Sequence, residues 1–262
     1  MDQLELPADL PIDPTLALRL AGSLAFHPFE YAKVLIQLGH EPVAPRQTRT
    51  LLGRPALAYP SVFQYCAHIR RRDGWLGLWR GASPRLLSQL AHHAAEVKFN
   101  KLFPAEEAVT GEEDEEGEDA DAAARKRFLR SLLRDLACRV SCVVATQPLQ
   151  VLATRAMAEF IGREEKYSGH LLGGLYSGAV DVIRENGLLG FWSGLVPRLA
   201  GELGVLGLTA SITFLVNTYL LEDKEVAQYT KHAAGFLAGS LCYPFTVSST
   251  CMAVRGWVGH AF

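Results

Sequence analysis

The chain has 262 residues, 49% hydrophobic and 21% charged, enough apolar content to bury one sizeable core or to lie in a lipid bilayer. Its formal net charge of -2 conceals a division: ten of the 28 acids fall between Glu106 and Asp121, and the rest of the chain is net positive by eight, which suits anionic lipid headgroups. No aromatic residues interleave with a basic patch as single-strand recognition requires, so nucleic acid is excluded as a partner.

The N-terminus, MDQLELPADLPIDPT, carries four acids before the first base, Arg19. It is neither a secretory signal nor an Arg-rich transit peptide, so any organelle address is expected to be internal. Thr15 to Gly39 is the first helical segment, with Ser23, His27, Glu30, Lys33 and Gln37 on one face. Pro28 lies inside it and should bend or break it, because proline removes a backbone donor and crowds the preceding turn. Glu41 to Pro60 holds four prolines and reads as loop. Ser61 to Arg72 is a short amphipathic piece ending in Arg70, Arg71 and Arg72, which are expected to meet lipid headgroups; a solvated face is the plainer alternative. Trp75, Trp79 and Trp192 read as interfacial anchors.

Pro84 to Phe103 and Leu132 to Thr154 are helical segments that carry charge. Between them, Pro104 to Arg127 is acidic and then basic with almost no apolar residues, and is expected to be a disordered connector. Leu199 to Leu221 contains one charge, Glu202, and Ala233 to Val254 contains none. Each exceeds the ~20 residues needed to cross a hydrocarbon core, and together they indicate a membrane protein. Gly235 and Gly239 offer a small-residue face for close helix packing. The five cysteines (Cys66, Cys138, Cys142, Cys242, Cys251) lack metal-ligand spacing and read as small buried hydrophobes. His92 and His93 would need more ligands to hold a metal and read as an interfacial pair.

The chain also repeats itself. HPFEYAKVLIQLG around Pro28 returns as QPLQVLATR around Pro148 and as YPFTVSSTC around Pro244, with a bulky polar residue (His27, Gln147, Tyr243) before each proline. DGWLGLWRGASPR returns as ENGLLGFWSGLVPR, so that Gly81-x-x-Pro84-Arg85 matches Gly194-x-x-Pro197-Arg198 without a gap. Pro148 and Pro244 are 96 residues apart; Pro28 and Pro148 are 120 apart, and removing the 24-residue connector restores 96. The organisation is one membrane domain over 1–262: repeat 1 at 15–103, the acidic linker at 104–127, repeat 2 at 128–221 and an incomplete repeat 3 at 231–262.

A unit of kinked helix, in-plane helix and second helix, marked Pro-x-acid-x-x-base and later acid-Gly and aromatic-base-Gly, resembles the mitochondrial carrier family. Pro28, Glu30, Lys33, Asp73, Gly74, Trp79, Arg80 and Gly81 carry the resemblance in repeat 1. In carriers the acid and base of each kinked helix pair with those of the next in a gating ring. Here the second copy has Gln150 and Ala153 and the third has Thr246 and Ser249, so no three-way ionic ring can close. After its kinked helix the third repeat reaches Phe262 without a second helix. An all-α, carrier-like bundle of about five transmembrane helices is therefore expected, its sixth helix missing and its side open to lipid.

These departures, with VLIQLG, FIGREEKYSG and GLVPRL, are similar to the mitochondrial carrier homolog family. That resemblance implies a multi-pass protein of the outer mitochondrial membrane that inserts tail-anchored and other α-helical proteins. It further implies links to apoptosis signalling, with a BH3-type death protein as a partner, and lipid scrambling. A hydrophilic groove open sideways would solvate a client's polar flank while its apolar span moves into lipid. The expected groove residues are Glu30, Lys33 and Gln37 on the first helix, Arg198, Glu202, Thr209 and Thr213 on the fourth, and Tyr243, Thr246 and Thr250 on the fifth. Against this, Glu30–Lys33 and Arg198–Glu202 could each be structural pairs within one turn, and Tyr243 an anchor beside its kink. No nucleophile–base arrangement or phosphate-cradling loop is present, so neither bond chemistry nor a cofactor or metal is expected. A solute carrier and a death-signalling receptor or scaffold are the alternative readings.

Overall fold

The computed structural model describes residues 14–40, 45–49, 53–58, 60–104, 118–162, 173–219 and 224–255. The N-terminal acids, residues 105–117 of the linker and residues 256–262 lie outside this set. Seven α-helices occur among the described residues: α1 Pro14–Gln37, α2 Val62–Gly77, α3 Ala82–Leu102, α4 Glu118–Gly162, α5 Gly173–Asn186, α6 Leu195–Tyr219 and α7 Lys224–Ala253. A short 3-10 turn, Leu188–Trp192, leads into α6.

The architecture is all-α in its bulk, as expected, but four finer expectations need correction. The proline-rich stretch is not loop alone: β1 Arg46–Arg49 and β2 Pro55–Ala58 form an antiparallel hairpin within it. Four-residue strands are too short for alternation to register, and proline is tolerated at the first position of an edge strand. The connector is not disordered throughout, because α4 begins at Glu118. Acids followed by an alanine run and then bases form a helix start, with negative charge at the positive end of the dipole and strong helix formers behind it. The prolines do not break their helices; Pro28, Pro148 and Pro244 each lie inside one. Finally, the stretches long and apolar enough to cross a membrane are 125–159 and 188–218 among the described residues. Ala233–Val254 lacks charge, but Ser, Thr, Gly, Tyr and Pro dilute its apolar content.

The chain divides into two compact units: residues 1–91, 147–193 and 250–262 form the first, and 92–146 with 194–249 the second. The boundaries therefore fall inside α3, α4 and α7, across the sequence repeats. The core of the first unit joins Tyr31, Ala32 and Leu35 of α1, Tyr65 and Ile69 of α2, Leu78, and Met157 of α4. Tyr31/Leu35 and Tyr65/Ile69 are one turn apart, which places each pair on a single helical face. In the second unit Phe128 of α4 stacks on Phe214 of α6 at 4.3 Å between ring centroids. α6 packs closely on α7 through its glycines: a Cβ at Gly201 would lie 3.2 Å from the Phe245 Cβ, and one at Gly204 2.9 Å from the Cys242 Sγ. Arg134 closes the C-terminal end of α3, donating to the Phe103 carbonyl and the Asn100 Oδ1.

The repeated motifs have repeated geometry. The residue before each of the first two prolines holds the carbonyl of the residue that follows the motif's second aromatic: His27 Nε2 donates to the Arg80 carbonyl at 3.0 Å, and Gln147 Nε2 to the Ser193 carbonyl at 2.8 Å. Pro28 has no N–H to offer the Leu24 carbonyl, and the Trp79 indole Nε1 supplies that donor at 3.0 Å. The next residue is a glycine in the left-handed region, Gly81 at φ 78° and Gly194 at φ 74°. Each glycine packs on the following repeat's kinked helix. A Cβ at Gly81 would sit 3.1 Å from the Ala153 carbonyl oxygen, and one at Gly194 2.6 Å from that of Ser249.

Gly39 also has positive φ, but nothing lies within 4 Å of its added Cβ. Gly39→Ala is therefore expected to cost only the backbone penalty, about 1–2 kcal/mol. Gly81→Ala and Gly194→Ala should cost clearly more, because they also force two helices apart. Unfolding of the three variants in the same detergent checks this; equal losses would refute the packing role.

Candidate functional site

The polar face of α6 is built on an otherwise apolar helix, so its position is set by packing of the opposite face. Gly201, the one fully buried residue between 195 and 218, marks the contact with α7. Most of the other residues between 195 and 218 are half-buried, with Val196, Ala200, Leu208, Leu215 and Thr218 exposed.

Glu202 sits on that polar face. Its Oε2 lies 3.9 Å from Arg139 Nη1 of α4, and the two side chains are 42% and 39% exposed. The separation is at the outer limit for an ion pair, and exposure of both groups makes it weak. His92 and Glu96 of α3 and Arg198 of α6 lie in the electrostatic field of the same pair. Arg198 and Glu202 thus sit in a cluster drawn from three helices. Arg139 was absent from the sequence-based set although its signal was legible: a base inside the apolar stretch Leu132–Thr154 is an intramembrane charge. His92, expected to be interfacial, belongs to this cluster too.

Further along the same face, Thr209 Oγ1, Thr213 Oγ1 and Asn217 Oδ1 are buried atoms with no hydrogen-bond partner in the protein. Other hydroxyls in these helices bond back to the carbonyl one turn earlier: Ser141 to Ala137, Thr146 to Cys142, Thr154 to Gln150, Ser240 to Phe236 and Ser248 to Pro244. Thr209 and Thr213 depart from that habit. An unpaired buried hydroxyl costs about 1–3 kcal/mol, so a row of them is a feature to be explained by what they contact in use. Asn217 extends the expected stripe by one turn and was not identified from the sequence.

The ten expected groove residues do not fall in one described unit. Arg198, Glu202, Thr209, Thr213, Tyr243 and Thr246 belong to the second unit, and Glu30, Lys33, Gln37 and Thr250 to the first. Tyr243 and Thr246 are exposed on α7 and Thr250 is half-buried. In the first unit, Glu30 reaches across to Arg85 of α3 at 2.6 Å, an ion pair that ties two helices. Lys33 is exposed, and the Gln37 carbonyl accepts from Cys251 Sγ at 3.6 Å.

The arginine run lies on α2, whose start is fixed by a capping box between Ser61 and Gln64. Arg70, Arg71 and Arg72 are all exposed, and the Arg70 guanidinium lies over the Trp75 ring at 4.0 Å. Phe63, Trp75 and Leu76 are exposed beside them. Nearby, burial keeps the His40 imidazole below its ordinary range, with repulsion from His68 and Arg72 acting in the same direction. Asp73, the acid adjoining the run, pairs with Arg80 at 3.3 Å. Among the described residues, no group of three His, Cys, Asp or Glu side chains could hold a metal.

Comparison with known proteins agrees with this geometry. The mitochondrial carrier protein family matches residues 16–103 and 125–224. Mitochondrial carrier homolog 2 of Bos taurus is 36% identical over 237 residues, covering 87% of this chain and 75% of the relative. The Homo sapiens protein of the same name is 36% identical over 235 residues, with the same coverage. Mitochondrial carrier homolog 1 of Mus musculus is 32% identical over 251 residues, covering 87% of this chain and 62% of the relative. With the repeated glycine contacts, the proline-adjacent hydrogen bonds and the lost charge pairs, these matches place the chain in the mitochondrial carrier family, among its mitochondrial carrier homologs.

Proposed function

We propose that this protein inserts α-helical membrane proteins, tail-anchored proteins among them, into the outer mitochondrial membrane, and that the polar face of α6 is where clients are held. One observation carries the reading: an otherwise apolar helix presents Glu202, Thr209, Thr213 and Asn217 in succession, the last three with buried oxygens that have no hydrogen-bond partner among the described residues. A client's terminus must cross hydrocarbon, where an ionised group costs roughly 2.5–3.5 kcal/mol or more. A weak Glu202–Arg139 pair can exchange partners with either sign of client charge, and the threonine hydroxyls can serve as donors or acceptors to its backbone. No bond is made or broken. The broken charge ring favours insertion over alternating-access solute transport, since only Glu30 and Lys33 retain the carrier pattern.

In this reading the protein crosses the membrane about five times, with its long helices α1, α3, α4, α6 and α7, and α2 lies at headgroup level. Arg70, Arg71 and Arg72 would meet anionic lipid, with Trp75 holding Arg70 against an apolar ring.

The insertion assay uses full-length protein in liposomes with a tail-anchored client. Glu202→Lys and Lys33→Glu are each expected to change the insertion rate, in either direction, by about tenfold, with helix content and unfolding unchanged. Wild-type insertion by both variants would remove these residues from the site. Saturable counter-exchange of a metabolite without client insertion would instead establish a solute carrier. Altered binding of a BH3-type protein with normal insertion would point to a receptor.

Thr209→Val with Thr213→Val removes two unpaired hydroxyls at nearly constant volume. Stability should hold or rise by about 1 kcal/mol while insertion falls; a loss of stability with normal insertion would show the hydroxyls to be structural.

Replacing Arg70, Arg71 and Arg72 together with Gln should weaken stabilisation by anionic over zwitterionic lipid by about 1 kcal/mol per residue. Melting temperatures in micelles doped with each lipid measure it, and an unchanged difference would rule the run out as a headgroup site.

A further inference from the structure

The C-terminal half of α4 is enclosed on every side within the first unit. All nine residues from Val151 to Glu159 are buried, none more than 7% exposed. Nine residues span two and a half helical turns, so every direction around the axis is covered. A helix in the wall of a bundle keeps one face on lipid; this segment has none. Its neighbours come from around its circumference. Gly81, at the start of α3, closes on the Ala153 carbonyl, Ala156 and Met157. Met157 joins the core made by α1 and α2. Arg155 Nε donates to the Ala253 carbonyl at the end of α7, and its Nη1 to the Glu185 carboxylate of α5 at 3.2 Å. Glu159 acts electrostatically on Tyr31 of α1.

We propose that this half of α4 is a fixed plug, keyed by Arg155, that closes the first unit to water and small solutes. Ala153 stands where the carrier pattern has a base. It is 1% exposed, and its carbonyl oxygen lies 3.1 Å from where a Cβ on Gly81 would stand. The position of the lost gate base is thus enclosed by protein. Arg155 brings the only guanidinium among these nine residues, and it binds the carbonyl end of α7 and an acid on α5 at once, so the plug is tied both to its own repeat and to the next. A charge entering this packed interior would be stripped of water. The inference is independent of the insertion reading, because it concerns passage through the first unit alone.

The test uses the full-length protein in phosphatidylcholine liposomes. Val151→Cys, Ala153→Cys, Ala156→Cys and Ala158→Cys sample three directions around the helix, Val151 and Ala158 sharing one face two turns apart, and Thr48→Cys in the exposed β1 strand is the reference. A charged maleimide is supplied on both sides, and labelling is followed at each site by peptide mass spectrometry. All four positions should react about a hundredfold more slowly than Thr48→Cys, as expected when access requires local opening. Reaction at any one within about tenfold of the reference would overturn the plug. Wild-type vesicles should retain an entrapped small anionic dye as well as protein-free vesicles do; faster loss would also overturn it. Arg155→Met should raise labelling at Ala156→Cys by about tenfold; an unchanged rate in a folded variant would deny Arg155 its keying role.

Discussion

Two backbone-to-backbone approaches organise this protein: Gly81 against the Ala153 carbonyl and Gly194 against that of Ser249. Both glycines have positive φ, which other residues adopt only at a cost, and both occupy space that any side chain would fill. Each contact begins a second helix of one repeat and fixes the kinked helix of the next. On the kinked helix it is a carbonyl oxygen that meets each glycine, and Ser249 adds a hydroxyl bond to the Gly194 carbonyl at 2.9 Å. The carrier pattern puts a long base at positions 153 and 249, so the two lost charges fall at the two contacts that join successive repeats.

Polar side chains do two kinds of work here. In the first unit several serve as pins between elements: His27 and Gln147 hold loop carbonyls, Trp79 replaces the donor that Pro28 lacks, and Arg155 bridges α5 and α7. Paired in this way, buried polar groups help to specify one arrangement. In the second, Glu202 and Arg139 are half-exposed at 3.9 Å, and three oxygens along α6 have no partner among the described residues. Partnerless buried atoms occur in the first unit too, among them Arg85 Nε, Gln89 Oε1 and Arg155 Nη2. It is the succession along one face of α6, beside a weak ion pair, that supports the insertion reading.

Periodicity errors in the sequence reading have local causes. Acids followed by alanines and bases look like solvated linker by composition, yet the order of those residues favours a helix start, and α4 begins at Glu118. A proline inside a helical run suggests a break, but α1 continues through Pro28 because a tryptophan 51 residues later supplies a donor to the carbonyl left unpaired. Counting charges favoured 233–254 as a span; counting apolar volume favours 125–159, whose charges are confined to its ends and to isolated bases. Helical faces correctly put Glu202, Thr209 and Thr213 on one stripe, but they could not reveal that Arg139, from a helix far away in sequence, would be the partner of Glu202.

By itself the sequence determined the repeat, its family, the positions of the prolines and motif glycines, and the loss of two of three charge pairs, because these are matters of residue type and spacing along one chain. Tertiary structure decided what those features do. That His27 and Gln147 grip loop carbonyls, that Glu30 pairs with Arg85, and that nine residues of α4 are enclosed all depend on distances between segments 30 to 100 residues apart. Local rules fix the face of a helix, but only packing decides what that face meets.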